Sequence, residues 1–308
     1  MRAILFPGQG SQYVGMGSDF YKKFDIVKKI FSSVDETLGF SLSKIILEGP
    51  LEKLQLTQNT QPAIMTVGVS IYNVLNKEYG LNLNQSNFFA GHSLGEYTAL
   101  VCSGSLTLEN AAYLLNERGK FMQEAVPEGK GSMLAVMGIK LPELNKYISE
   151  LKKENGVCEV ANDNSNNQII ISGDKSAINE MSSILKKDKK KSIFLPVSAP
   201  FHCSLMKPAA DRMEKKIQTT NFSDPFVELI SNVTAKPTKN SEEIKKLLVE
   251  QIFSKVRWRE TIEYMIKNDV NNFIEIGPGK VLSGLVKRIN DKVLSKSINT
   301  IEDIESLK

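Results

Sequence analysis

The chain has 308 residues, 41% of them hydrophobic, enough to bury the core of one large domain or two moderate ones. Its 39 basic and 35 acidic residues leave a formal charge of +4, and only six of the basic residues are arginine; the lysines fall mostly on polar faces of helical patterns, which argues against a nucleic-acid groove. Three widely spaced cysteines, Cys102, Cys158 and Cys203, suggest neither a disulfide frame nor a zinc site, and no stretch approaches the ~18 apolar residues of a membrane span. The expectation is a soluble, unprocessed, cytoplasmic protein that engages neither nucleic acid nor membrane.

In chain order, AILF (3–6) reads as a short strand stopped by Pro7 and Gly8, an apolar run too brief for a signal peptide. GQGSQY follows, but Tyr13 occupies the third glycine position of a dinucleotide loop, so that signal fails. A helix is expected from about Pro62, with Ile64, Val67, Ile71 and Leu75 on one face. FFAG (88–91) is a strand that runs into GHSLG (91–95), after which Tyr97, Leu100 and Val101 show helical spacing, and a further helical face follows through Leu108, Ala111, Ala112, Leu115, Gly119 and Met122. Strands alternating with helices predict a parallel sheet covered on both faces.

From Ser132 the order changes to strand (SMLAVMG), helix (Leu144, Tyr147, Ile148, Leu151), strand (VCEVAN), strand (QIIISG), helix (Ile178, Met181, Leu185) and strand (SIFLPV). That is the β-α-β-β-α-β order of a ferredoxin-like unit. FVELISN and NNFIEIGPG then predict two apolar strands with a helix between them. The fold expected is α/β: an α/β-hydrolase-like main domain with a parallel sheet, formed by 1–128 and 199–308, with a ferredoxin-like small subdomain inserted at 129–198. The lysine-rich run 186–191 reads as a solvated helix end.

Ser93 sits in G-x-S-x-G between a strand and a helix, the context of a nucleophile elbow; a tight turn with Ser93 as a helix cap is the bland alternative. A nucleophilic serine needs a base, and the chain holds two histidines. His92 neighbours the serine and points away from it, which suits orienting or packing, so His202 is the candidate base. Cys203 beside it has no elbow and does not face it. Arg118 lies at the edge of an apolar helical stripe. It either snorkels, pairs with Glu117 or Glu124, or clamps an anionic substrate through two parallel hydrogen bonds.

FPGQGSQ (6–12), LQLTQNTQPA (54–63), AGHSLGEYTAL (90–100), ERGKFMQ (117–123), SAPFHCSLM (198–206), NVTAKP (232–237), QIFSKVRW (251–258) and EIGPGKVLSGLVKRI (275–289) together resemble the malonyl-coenzyme A:acyl carrier protein transacylases of dissociated fatty-acid synthesis. The resemblance covers nearly the whole chain. It implies that Ser93 is acylated, that His202 is its base and is oriented by the backbone carbonyl of Gln251, that Gln9 and Leu94 supply oxyanion N–H groups, and that Arg118 binds the malonyl carboxylate. It further implies that Asn162 lines the cleft and that Phe201 leaves little room for a methyl branch. Malonyl-coenzyme A and the phosphopantetheine arm of acyl carrier protein are the implied partners, with no metal and no tightly bound cofactor. A serine thioesterase or carboxylesterase, a carrier-binding module without catalysis, and a free-standing acyltransferase of a polyketide synthase remain open on the residues alone.

Overall fold

The computed structural model describes residues 1–151, 156–197 and 199–307. Strand β1 (Arg2–Phe6) leads through α1 (Ser18–Lys23), α2 (Asp25–Leu38), α3 (Leu42–Glu48), α4 (Leu51–Gln55) and α5 (Thr57–Lys77) to β2 (Phe88–Gly91). Helices α6 (Gly95–Cys102) and α7 (Leu108–Glu124) follow. A second unit comprises β3 (Gly131–Met137), α8 (Leu141–Glu150), β4 (Cys158–Ser165), β5 (Gln168–Asp174), α9 (Lys175–Lys187) and β6 (Lys191–Phe194). The chain ends with α10 (Lys207–Thr219), β7 (Glu228–Ile230), β8 (Pro237–Thr238), α11 (Ser241–Gln251), α12 (Trp258–Lys267), β9 (Asn272–Ile276), α13 (Val281–Ile289) and β10 (Leu294–Ile298).

The larger sheet has the order β10-β9-β1-β2-β7-β8. Its strands pair in parallel except at β8, an antiparallel edge strand, so the parallel sheet expected from sequence is mixed at one margin. Side chains alternate across a strand, and β1 shows both faces buried: Ile4 and Phe6 join the core under α2, α5 and α7, whereas Ala3 and Leu5 join Trp258, Ile262 and Leu285 on the other side. Phe6 lies opposite Gly91, so the carboxyl ends of the two central strands open side by side, the position where sheets of this kind bind ligands.

The smaller sheet is antiparallel, in the order β4-β5-β3-β6. One face carries Leu134, Val136, Ile169 and Ile171 against Ile178, Met181 and Leu185. The other face, with Met133, Ala135 and Ile170, joins the core of the larger sheet. Strand β4 is tied to the chain before α12 by Val256 N–H to the Ala161 carbonyl at 2.8 Å and Asp163 N–H to the Val256 carbonyl at 3.0 Å. The Asp163 carboxylate, 1% exposed, accepts from Arg259 at 2.8 Å.

Two expectations are corrected. The helix assigned to start near Pro62 starts at Thr57, with the proline inside it. Proline has no N–H for the carbonyl four residues earlier, that of Gln58, and this carbonyl instead accepts from the Asn116 side chain on α7 at 2.8 Å, so the helix continues undisturbed. Between the two late apolar strands lie β8 and two helices, α11 and α12, instead of one helix. The boundary placed at 198 lies outside the described residues. Among the described residues no helix is long and apolar enough to cross a membrane.

Candidate active site

Strand β2 ends at Gly91, and Ser93 turns the chain into α6 with φ +54°, a left-handed conformation costly for a residue with a side chain. The turn is tight enough to demand its glycines. A β-carbon on Gly91 would lie 1.9 Å from the Gly95 backbone, and one on Gly95 would lie 2.2 Å from the Phe6 carbonyl oxygen. The Asn232 side chain braces the strained peptide, accepting from Ser93 N–H at 2.7 Å and donating to the Gly91 carbonyl at 2.7 Å. Ser93 is therefore on an elbow at the amino end of a helix, whose free N–H groups favour negative charge there.

Ser93 Oγ is 2.8 Å from His202 Nε2, and His202 Nδ1 is 2.9 Å from the Gln251 carbonyl oxygen. A carbonyl only accepts, so Nδ1 carries the proton and Nε2 presents its lone pair to the serine hydroxyl. His202 is 5% exposed, and burial, reinforced by the charge of Arg118, pushes its pKa down to about 3. The imidazole is neutral at physiological pH.

Arg118, from α7, is 1% exposed, and burial lowers its pKa. Its Nη2 donates to Ser93 Oγ at 3.1 Å and to Gln251 Oε1 at 2.8 Å, and its Nη1 donates to Gln61 Oε1 at 2.7 Å. Its Nε is buried with no hydrogen-bond partner among the described residues. Neither acidic neighbour suggested by the sequence reaches it: Glu117 pairs with Lys120 at 3.1 Å and Lys216 at 2.8 Å, and Glu124 pairs with Arg212 at 2.6 Å. Among the described residues no carboxylate bonds this guanidinium, an arrangement that is expensive unless an anion arrives from outside.

These groups open on a cleft of about 100 Å³ whose walls include Gln9, Leu94, Met122, Met133, Asn162, Leu195, Val197 and Phe201. The backbone N–H groups of Gln9 and Leu94 have no acceptor among the described residues. His92 also borders the cleft, but its Nε2 pairs with Asn164 Oδ1 at 2.9 Å and its ring packs on Trp258, so it stands apart from the serine hydroxyl.

The acyl transferase domain family matches residues 4–303. The malonyl CoA-acyl carrier protein transacylase of Bacillus subtilis is 43% identical over 98% of this chain and 95% of its own length. The chain belongs to the malonyl CoA-acyl carrier protein transacylase family. A solved acyl-carrier-protein S-malonyltransferase from Bartonella henselae superposes with a TM-score of 0.96 at 43% identity, covering 99% of this chain and 98% of that one. A solved complex of a malonyl-transacylase with its type II polyketide synthase acyl carrier protein gives 0.95 at 37% identity, covering 99% and 98%.

Sequence reasoning assigned no role to three residues of this transacylase network: Gln61, Glu96 and Asn232. All three lie inside segments that carry the family resemblance, so a signal was present. Glu96 Oε2 accepts from Gln251 Nε2 at 2.7 Å and from Asn232 N–H at 3.2 Å, and burial pushes its pKa up to about 7.

Proposed function

We propose that the chain transfers a malonyl group from malonyl-coenzyme A to the phosphopantetheine thiol of acyl carrier protein, by way of a malonyl ester on Ser93. The observation that carries this reading is the buried Arg118 guanidinium, without a carboxylate of its own among the described residues and 3.1 Å from the nucleophile. An acyl donor with a terminal carboxylate supplies the missing anion and is thereby held with its thioester at Ser93.

In the first half-reaction His202 Nε2 takes the proton from Ser93 Oγ as the oxygen bonds to the thioester carbon. The carbon–sulfur bond breaks, and the coenzyme A thiolate leaves with the proton from His202. In the second, the carrier thiol gives its proton to His202, its sulfur attacks the malonyl ester, and Ser93 recovers the proton. The charge that develops on the carbonyl oxygen falls to the N–H groups of Gln9 and Leu94, at roughly 3 to 4 kcal/mol per donor in such sites. Phe201 and Asn162 serve as the walls that bound the acyl group. Serine, imidazole and N–H donors provide nucleophile, proton carrier and charge stabilisation, so the chemistry requires no metal or tightly bound cofactor.

The finer organisation follows the same reading: an α/β-hydrolase-like main domain over 1–128 and 199–308, supported by the elbow on a largely parallel sheet, and a ferredoxin-like subdomain over 129–198, supported by the β4-β5-β3-β6 order. Three unpaired, buried cysteines suit a reducing cytoplasm. The polyketide carrier in the superposable complex makes a polyketide acyl carrier protein the second candidate acceptor. Brief exposure to malonyl-coenzyme A followed by intact-protein mass spectrometry tests the whole scheme. A malonyl adduct on the elbow peptide that moves to added carrier protein is expected; release of free malonate without carrier would identify a hydrolase instead.

A further inference from the structure

Glu96 is 5% exposed, lies in the first turn of α6, and has no step in the transfer chemistry. Its Oε2 is a junction. One arm is Asn232 N–H at 3.2 Å, and the Asn232 side chain braces the elbow. The other is Gln251 Nε2 at 2.7 Å. That amide nitrogen also donates to the Ser93 carbonyl at 3.0 Å, so both of its hydrogens are committed, and the amide oxygen faces Arg118 Nη2 at 2.8 Å.

The two ends of an amide are alike in shape and opposite in hydrogen bonding, so the partners decide which way it faces. Turned over, the Gln251 amide would set N–H groups against the guanidinium and its oxygen against the Ser93 carbonyl and the Glu96 carboxylate. Above about pH 7, where it has lost the proton that burial favours, the Glu96 carboxylate accepts only, and its charge-assisted bond is about twice as strong as a neutral one.

We propose that Glu96 is a positioning residue for the acyl-donor clamp: by holding the Gln251 amide with its oxygen toward Arg118, it sets the direction from which the guanidinium meets a carboxylate-bearing acyl group. The inference rests on the malonyl-transfer reading and deepens it. The arms are separable by substrate. The elbow serves every acyl donor equally, whereas the Arg118 clamp tells donors apart, because only a terminal carboxylate pairs with the guanidinium. Loss of the Gln251 arm therefore appears as lost preference, and loss of the Asn232 arm as lost rate for all donors.

The test is kcat/KM at about pH 8, above the Glu96 titration, for malonyl- and acetyl-coenzyme A in the wild type, Glu96→Ala, Glu96→Gln, Gln251→Ala and the Glu96→Ala/Gln251→Ala double variant, with thermal melts to establish folding. Glu96→Ala is expected to lower the malonyl-to-acetyl ratio about tenfold, chiefly through the malonyl KM. Glu96→Gln, which keeps an acceptor but not the charge, should lose about threefold. The double variant should have the ratio of Gln251→Ala alone, because both substitutions remove one line of contacts. An unchanged ratio in the Glu96 variants overturns the proposal, as do parallel losses for both donors or additive losses in the double variant. Where Glu96→Ala does not fold, an unchanged ratio in Glu96→Gln suffices. Arg118→Ala in the same assay separates the two levels: if malonyl preference survives there, the malonyl reading itself fails; if it collapses there but not at Glu96, only the role of Glu96 falls.

Discussion

The two sheets face one cleft and furnish it differently. The larger, mostly parallel sheet and its helices bring Ser93 on its strained elbow, Arg118, and Glu96 behind them, and His202 lies on the segment that leads back toward α10. The antiparallel sheet and the stretch after β6 bring Met133, Asn162, Leu195 and Val197, none of them ionisable. Reacting groups have to be held to tenths of an ångström by packed elements, whereas a wall needs only shape. Substitutions on the first side should therefore remove steps of the reaction, and substitutions on the second should alter fit or stability.

The largest effects belong to the reacting pair. Ser93→Ala should form no malonyl adduct in intact-protein mass spectrometry while remaining folded, because alanine places no greater demand on the left-handed turn than serine does. His202→Ala should lose both half-reactions by on the order of 10³-fold or more while still binding the acyl donor, since one base serves acylation and deacylation. A normal acylation burst in the histidine variant would mean that another group takes the proton.

Next comes Arg118→Ala. Removing one partner of a desolvated charge pair costs about 2 to 5 kcal/mol, or roughly 30-fold to a few thousand-fold in kcat/KM for malonyl-coenzyme A. Acetyl transfer should hold steady or improve, and a parallel decline for both donors would make Arg118 structural. The same variant shifts a pH profile. Burial and the Arg118 charge hold His202 near 3, so the wild-type base stays deprotonated into acid; without that charge the acid limb should move toward the ordinary imidazole range.

Where the two sides join, Arg259 on α12 bonds the wall-side Asp163 carboxylate, 1% exposed, and Arg259→Ala leaves that carboxylate without its hydrogen-bonding cation. A loss of about 3 to 5 kcal/mol in unfolding free energy is expected, with acylation retained at temperatures where the protein stays folded. Abolished acylation in the folded variant would break the division between the two sides.

The smallest effect is a slope. Glu96 is raised from 4.5 to about 7 by burial, so between those values the folded protein holds a proton that the unfolded chain has released, and this group's contribution to stability falls as pH rises through that window. Across the full window that is on the order of 3 kcal/mol. Glu96→Gln has no such proton to lose, so its melting temperature relative to wild type should climb from about pH 5 to about pH 8. His202 acts in the opposite sense between about 3 and 6.5 but is present in both proteins and cancels in the difference. A flat difference would mean that Glu96 titrates near its ordinary value.

Local features were legible before the structure. The elbow needs only five residues between a strand and a helix, and the β-α-β-β-α-β order follows from periodicity within short windows. What failed depended on partners far along the chain. Pro62 signals a helix start by itself, and only Asn116 explains why the helix runs through it. Glu117 and Glu124 were the obvious neighbours for Arg118, yet its partners Gln61 and Gln251 lie 57 and 133 positions away. Glu96 reads as an ordinary charge in a helix until Gln251 and Asn232 are seen to converge on it.

The contact between α5 and α7 works as a ruler. Two fixed marks match across it, the Gln58 carbonyl with Asn116 and the Gln61 side chain with Arg118. Sliding one helix by a single residue displaces it by about 1.5 Å and misaligns both marks at once. Gly119 sets the spacing of the two helices, for a β-carbon there would stand 2.4 Å from the Gln58 α-carbon. The reach of the guanidinium into the cleft is thus calibrated from behind, by Gln58, Asn116 and Gly119, which are not among the residues that line the cleft, and one added methyl group at residue 119 would push it out of gauge.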